Sequence, residues 1–408
     1  MLKIFNDPVH GLIEVPLGLV LELIDHPWVQ RLRRIRQVAL SNLVYAGAQH
    51  SRFSHALGAM HLTRTALGLL EQKGVPLAPE EREATLAAIL LHDIGHGPFS
   101  HALESVLVPH LRHEQMGQLL LEALDRQFDG RLALARRIFS GDYPRPFLHQ
   151  LIASQLDMDR MDYLMRDSFF TGVQEGIVGT ERILKTLYVH HDRLVVEEKG
   201  IYSVEKFIVA RRLMYWQVYL HKTALVAENL LVLVLERVRE LLRRGVDLPC
   251  DAHLRWLLTA ERPEVPELID RFTAIDDTEI VYGLKCWRGC ADPILADLSR
   301  RILDRRLLKI KFFPNEISDD FLLFVKNYYQ EKLALSDEAL PYYVFARKAS
   351  NRAYVRQSGE PIQILYKDGR IRELDEASDL ENIGALSREV VKHYLCYPGA
   401  EAPFPAGI

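Results

Sequence analysis

The stretch Leu90–Glu104, LLHDIGHGPFSHALE, gathers three histidines, an aspartate and a glutamate into fifteen positions. His92 and His96 are four apart, the spacing that puts two side chains on one face of a helix. Gly95 and Gly97 predict a helix C-terminus, Pro98 a stop, and Ser100 the N-cap of the next helix. Neutral imidazoles beside carboxylates are the usual donors to a divalent cation. The plainer reading, a set of capping and core polar groups, does not account for so many donors in so short a stretch.

Two further donors extend the set. His55 lies at the start of a helical segment, His50–Gln72, and Asp159 lies within Leu151–Asp167. Together with His92 and Asp93 they supply two imidazoles and two carboxylates from three helices. That is a ligand set for one octahedral ion, with positions left for water and a substrate oxygen. An open nitrogen–oxygen site suits hydrolysis, in which the metal polarises a phosphoryl oxygen or acidifies water. His101 and Glu104 are three apart, so the carboxylate orients the imidazole and favours its protonated form, as a general acid needs. Arg52 and Arg160 flank two of the ligands and predict phosphate clamps. His113-Glu114 follows shortly after.

The elements that must position these groups are mainly helical. Residues 1–16 predict an extended lead-in with turns at Asn6-Asp7-Pro8 and His10-Gly11. Leu17–Val44 suits helices interrupted at Pro27, and carries Arg31, Arg33, Arg34 and Arg36 as either a solvated face or a phosphate contact. His50–Gln72 has helical periodicity, and after a polar linker at Pro76–Arg82 the apolar helix Ala84–Leu91 delivers His92-Asp93. Leu151–Asp167 reads as one helix, with Asp157 and Asp162 suited to a salt-bridged surface. Leu187–Val204 reads as a β-hairpin, and Val209–Leu241 as a long helix whose stripe of Arg211, Arg212, Tyr215 and Tyr219 suits a core better than a site. Helices continue through Leu254–Leu258 and Ile294–Leu308. Beyond them LKIKFF, YYVFARK, AYVRQ and IQILYKDGRIREL predict strands, the last two joined at Lys367-Asp368-Gly369. The Pro/Gly/Ala-rich tail Tyr397–Ile408 predicts a loosely held end.

At 408 residues, with 48% apolar and 26% charged residues, the chain can bury a large core beside a smaller partner. A formal charge of −4 carries no global basic field, so nucleic acid is not the main partner expected. The four cysteines are too few and scattered for a disulfide framework, and Cys286 and Cys290 lack the second pair a zinc knuckle needs. The opening MLKIFNDPVHG has no signal-peptide core, and no run of about 18 apolar residues occurs, so the expectation is a cytoplasmic protein with no membrane partner.

The pattern H…HD…D, carried by His55, His92-Asp93 and Asp159, resembles the signature of the HD phosphohydrolase superfamily. More narrowly, NDPVHG (Asn6–Gly11), SRFSHALG (Ser51–Gly58), LLHDIGHGPFSH (Leu90–His101), HEQMG (His113–Gly117) and DMDRMDYLMRD (Asp157–Asp167) resemble the HD-domain deoxynucleoside triphosphate triphosphohydrolases. The resemblance spans roughly Asn6 to Lys222. It implies that His55, His92, Asp93 and Asp159 hold the metal, and that His101 with Glu104 is the catalytic pair. It further implies that His96 and His113 lie near the α-phosphate and that Arg52 binds phosphate. Arg160 stands where relatives have lysine. Gln37 matches a residue that reads the sugar 3′-hydroxyl. Val38 replaces a bulkier leucine that helps exclude the 2′-hydroxyl, which leaves deoxy selectivity open. Tyr163, Asp167 and Tyr219 match substrate-pocket positions, and Tyr215 takes the place of a histidine, which leaves base preference open.

The implied reaction is attack of water at the α-phosphorus of a dNTP, with Mg2+ or Mn2+ as the leading cofactor and Fe2+ or Zn2+ as alternatives. Asn6, Asp25, Gln30 and Arg33 match positions of a regulatory nucleotide site at an oligomer interface, which implies self-association as a homotetramer or dimer and dGTP as a candidate activator. The expected fold is mainly α. An HD-domain helical core with small β-hairpin elements covers residues 1–308, and a smaller C-terminal α+β subdomain covers 309–408. An HD-type phosphodiesterase or nuclease with a second metal, drawing on His96 and His113, is the alternative activity, and a non-catalytic nucleotide sensor is the other.

Overall fold

A computed structural model describes residues 2–109, 111–351, 361–379, 389–399 and 403. The chain opens with an antiparallel hairpin, β1 (Leu2–Asp7) and β2 (Gly11–Pro16). Asp7 closes its turn by accepting the backbone N–H groups of Val9 (2.9 Å) and His10 (3.0 Å). Two short helices follow, α1 (Leu19–Asp25) and α2 (Pro27–Arg31), with Pro27 starting the second where its missing N–H costs nothing.

The centre of the fold is α3 (Arg52–Gln72), capped by Ser51 and packed between α4 (Pro79–Leu91) and α9 (Met158–Thr171). Between them run α5 (Glu104–Leu107), α6 (His113–Gln127), α7 (Ala133–Ser140) and α8 (Pro146–Gln150). Then come α10 (Thr180–Thr186), the predicted hairpin β3 (Leu187–His190) and β4 (Arg193–Glu197), α11 (Ile201–Met214) and α12 (Lys222–Arg243). The last two are separated by a π-helical turn, Tyr215–Tyr219, so Val209–Leu241 is two helices rather than one. Four more helices complete the core: α13 (Ala252–Thr259), α14 (Val265–Thr273), α15 (Asp277–Trp287) and α16 (Pro293–Leu303). The architecture is mainly α-helical, as expected.

The C-terminal segment contributes β5 (Lys309–Phe313), α17 (Asp319–Leu333), α18 (Leu340–Tyr343), β6 (Phe345–Asn351), β7 (Gln363–Leu365), β8 (Ile371–Glu373), α19 (Leu374–Ala377) and β9 (Val390–Tyr397). Tyr342 and Tyr343 are helical, not part of a strand. AYVRQ lies outside the described residues, as does most of the tail. β5, β9 and β6 form one antiparallel sheet, while β7 pairs in parallel with β4, so backbone hydrogen bonds tie this segment to the central hairpin. Among the described residues no single helix is long and apolar enough to cross a membrane. The four cysteines are free.

Two segments depart from the sequence expectation in ways that matter to the site. Helix α4 stops at Leu91, with His92 as its C-cap, and HDIGH continues as tight turns closed by Ile94 N–H to Leu91 O (3.1 Å) and His96 N–H to Asp93 O (3.1 Å). His92 and His96 therefore do not share a helix face. The buried guanidinium of Arg31 fixes this turn by donating to the carbonyls of Ile94 (3.1 Å) and His96 (2.9 Å). Gly95 is required here, because a Cβ on it would stand 2.1 Å from the His113 carbonyl oxygen. Leu151–Asp167 is helical only from Met158. Asp157 is the N-cap, accepting Arg160 N–H at 2.7 Å, so the residues before it form turns.

Candidate metal centre and active site

Four side chains from α3, the end of α4 and the first turn of α9 converge. His55 Nε2 lies 3.2 Å from His92 Nε2 and 3.1 Å from Asp159 Oδ1, and His92 Nε2 lies 3.4 Å from both Asp159 Oδ1 and Asp93 Oδ1. Asp93 Oδ2 is 3.6 Å from His55 Nε2. Donors about 2.1 Å from a common ion stand about 3.0–3.5 Å apart in octahedral or tetrahedral coordination. His55, His92 and Asp159 stand in that range and fit a divalent cation, with Asp93 at the edge of the group, one oxygen towards each imidazole.

The tautomers sharpen the case. His55 Nδ1–H donates to Asp162 Oδ2 at 2.7 Å, and His92 Nδ1–H donates to the Ile89 carbonyl at 2.6 Å. Both rings therefore turn an Nε2 lone pair inward, towards each other and two carboxylates. Acceptors this close need a cation among them. The same demand shows as proton affinity. Burial works against charging His55, yet the carboxylates of Asp159 and Asp162 lift it to about 10. Burial also opposes ionisation of Asp159, but hydrogen bonds from His55 and His92 hold it well below the usual carboxylate range.

Asp162, expected on a salt-bridged surface, is fully buried and organises the support. It accepts His10 Nε2–H (2.5 Å) and two bonds from Arg166 (2.9 and 3.0 Å), and Arg166 in turn reaches Asp7 (2.8 Å). The N-terminal hairpin is thus wired to His55. Gly58 makes room for this network, since a Cβ there would stand 1.9 Å from Asp162 Oδ1. Asp157, the other expected surface carboxylate, is also buried and binds Arg160 Nη1 at 2.5 Å.

A second group lies beside the first. His96 Nε2 is 3.3 Å from Asp93 Oδ1, and its ring stacks on His113 (4.1 Å, 16°) and meets His101 edge-on (4.7 Å). Glu104 accepts from His101 Nδ1 (3.3 Å), His113 Nδ1 (3.2 Å) and the His113 backbone N–H (2.9 Å). Burial resists ionisation of Glu104, but these donors outweigh it and lower it to about 2. His101 is 66% exposed and opens on a groove also lined by Ser105, Arg112 and Gln115. Burial, then the charge of Arg52, keeps His96 neutral, well below the usual histidine range. Ser100 caps no helix. It sits at φ 55°, and its Oγ accepts from Arg52 Nε (2.7 Å) and donates to the Arg36 carbonyl (2.7 Å). Arg52 also binds Asp93 through Nη1.

The tyrosine stripe belongs to the site's surroundings rather than to the core alone. Tyr163, Tyr215 and Tyr219 meet edge to face at 6.1 and 5.2 Å, and Tyr219 donates to Asp167 at 2.6 Å. Burial pushes the Tyr163 hydroxyl up, with Tyr215, Arg211, Arg160 and Asp159 close enough to act on it. Arg211 is buried with Nε and Nη1 unpartnered, and Arg160 Nε is likewise unpartnered. Arg211 is a functional candidate that its sequence context disguised. A buried, unpaired arginine beside a cation site is a waiting anion contact. Gln37 Oε1 is also buried without a partner, and Val38 is buried beside it.

The arginine cluster of the second segment divides. Arg31 is structural, Arg34 pairs with Asp276, and Arg33 is exposed, lying over Phe53 at 3.6 Å and donating to Gln30 Oε1 at 2.8 Å. Asp25 is exposed nearby in sequence, and Asn6 is exposed on β1.

Comparison with known proteins follows this geometry. Residues 52–167 match the HD domain and residues 178–248 the HD associated region. The chain is 34% identical to the uncharacterized protein YwfO of Bacillus subtilis, over 97% of this chain and 92% of that protein. It is 29% identical to the deoxynucleoside triphosphate triphosphohydrolase SAMHD1 homolog of Dictyostelium discoideum, over 73% of this chain and 64% of that one. A crystal structure of the phosphohydrolase BT4208 from Bacteroides thetaiotaomicron superposes with a TM-score of 0.93 at 44% identity, covering 98% of this chain and 100% of that one. With an HD domain over residues 52–167, the HD associated region after it and full-length likeness to a solved phosphohydrolase, the chain belongs to the HD phosphohydrolase superfamily.

Proposed function

We propose that the protein is a metal-dependent dNTP triphosphohydrolase that cleaves at the α-phosphorus to give a deoxynucleoside and tripolyphosphate. The observation that carries this reading is the inward pair of Nε2 lone pairs on His55 and His92, set against Asp93 and Asp159 and adjoining the His101–Glu104 pair. His55, His92, Asp93 and Asp159 would hold a divalent cation, with Mg2+ or Mn2+ first among candidates, and its chemistry there would be Lewis-acid polarisation of the phosphoryl group and of water.

The chain's own residues do the rest. Arg52 is fixed through Nε and Nη1, which leaves Nη2 for a phosphate oxygen, and Arg160 and Arg211 bring further N–H groups to the chain of phosphates. Water adds to the α-phosphorus, the bond to the 5′-oxygen breaks, and the proton that water sheds goes to solvent, from which the exposed His101 is reprotonated. Glu104, ionised throughout the working range, holds His101 by Nδ1, so that Nε2–H passes a proton to the departing 5′-oxygen. His96 and His113 stand beside the same phosphate, held by Asp93 and Glu104 through the nitrogens turned to those carboxylates. Gln37, Val38, Tyr163, Asp167 and Tyr219 form the nucleoside pocket. The likeness to proteins named as dNTP triphosphohydrolases supports the choice of substrate.

Asn6, Asp25, Gln30 and Arg33 are the residues we assign to a regulatory nucleotide, with dGTP the candidate activator of a homotetramer or dimer in the cytoplasm. Surface exposure of Asn6, Asp25 and Arg33 supports this part. A second reading, an HD-type phosphodiesterase or nuclease, is favoured by one observation: nitrogens of His96, His101 and His113 are close enough to hold a second ion. Product identity with each dNTP, together with metal count per chain, decides between them.

A further inference from the structure

Asp167 is buried, and each of its oxygens accepts one bond and keeps a second lone pair. Oδ2 accepts from the Tyr219 hydroxyl at 2.6 Å, and Oδ1 accepts from His50 Nε2–H at 2.7 Å. His50 is itself buried and stacks on Phe170 with ring centroids 4.6 Å apart and planes 17° apart. Its backbone carbonyl accepts Gln37 N–H at 3.0 Å, beside the bridge between Arg36 and Ser51. One residue therefore joins the segment that carries Gln37 to the helix that carries Asp167.

Two buried atoms around this junction have no protein partner, His50 Nδ1 and Gln37 Oε1. With the ring proton on Nε2, His50 Nδ1 is an acceptor, and so is the amide oxygen. Buried acceptors without donors call for a donor from outside the chain, and a sugar hydroxyl is one.

We propose that His50 is the positioning residue of the sugar subsite. It fixes Asp167 and Gln37 relative to one another so that they grip one sugar hydroxyl. This rests on the dNTP reading above and adds a residue to it. His50 acts through its neighbours rather than on the reacting atoms.

The test compares wild type with His50→Phe, which keeps the stack on Phe170 and loses the bond to Asp167, and with His50→Gln, which can still donate to Asp167. Steady-state constants are measured for a dNTP and for its 2′,3′-dideoxy counterpart, with metal content and circular dichroism as controls on folding. In H50F, KM for the dNTP is expected to rise about tenfold and the preference over the dideoxy compound to shrink about tenfold, with kcat changed less. H50Q is expected to recover most of that preference. If H50F loses both substrates equally, or keeps the wild-type preference, the inference is overturned. A wild type that turns over no dNTP instead fails the function reading itself.

Discussion

Asp162→Asn tests whether the metal centre is built from behind as well as from its ligands. The substitution preserves shape but replaces one carboxylate oxygen by an NH2 group. Each oxygen of Asp162 faces two donors: His10 and Arg166 Nη2 on one, His55 and Arg166 Nε on the other. Whichever way the amide turns, donors meet a donor. Breaking a buried ion pair costs about 3–5 kcal/mol, and because Arg166 keeps Asp7 the lower end is expected. Removing an outer carboxylate that orients a metal-binding histidine typically weakens metal binding about 10- to 100-fold. The assay is a Mn2+ titration of metal-stripped protein, followed by direct binding and by thermal melting. The variant should melt lower without metal, bind Mn2+ about 10- to 100-fold more weakly, and recover part of its stability at saturating metal. A lower melting point with unchanged Mn2+ affinity would show that Asp162 only braces the helices and would refute the argument from the inward lone pairs.

Arg211→Met should lower kcat/KM for a dNTP about a hundredfold while leaving the protein as stable as wild type or more so, because it removes a buried guanidinium whose Nε and Nη1 have no hydrogen-bond partner among the described residues. A variant with full activity and a lower melting point would contradict that assignment. Burial alone raises Glu228 on α12 to about 8 from 4.5. An acid whose folded pKa lies above its unfolded value costs stability as pH rises between the two, by roughly 1.4 kcal/mol per unit at most. Glu228→Gln should therefore melt higher than wild type at pH 9 and equally at pH 5, and a gap of the same size at both would count against it.

Local pattern carried much of the fold. The periodicity of His50–Gln72 and of Ala84–Leu91 reports helices that bury one side against the core, and the hairpin around His191-Asp192 and the turn at Lys367-Asp368-Gly369 are set by adjacent residues. What escaped is long-range. Asp7 and His10 lie more than 150 residues from Asp162 and Arg166, and their types alone suggest solvent. Arg31 looked like one more surface cation because burial by the carbonyls of Ile94 and His96 leaves no trace in its neighbours. The spacing of His92 and His96 is helical, yet the helix ends at Leu91, ahead of the C-terminus that Gly95 and Gly97 predict. The path of the HDIGH turn is imposed by Arg31 and by the contact of Gly95 with the start of α6. Asp276 and Ser318 cap α15 and α17, a local signal for two helices that the apolar pattern alone does not mark.

The central claim is hydrolysis of dNTPs at the α-phosphorus, and product identity tests it most directly. Purified protein is incubated with Mg2+ or Mn2+ and each dNTP alone, then with all four together, and the products are separated by chromatography beside a His92→Ala/Asp93→Ala control. Deoxynucleoside and intact tripolyphosphate are expected, and both are lost in the control. Activity seen only in the mixture would support a regulatory nucleotide site, which we assign to Asn6, Asp25, Gln30 and Arg33. No turnover of any dNTP, with cleavage of single-stranded DNA or a cyclic dinucleotide and two metals per chain, would contradict the account and assign the protein to the phosphodiesterases.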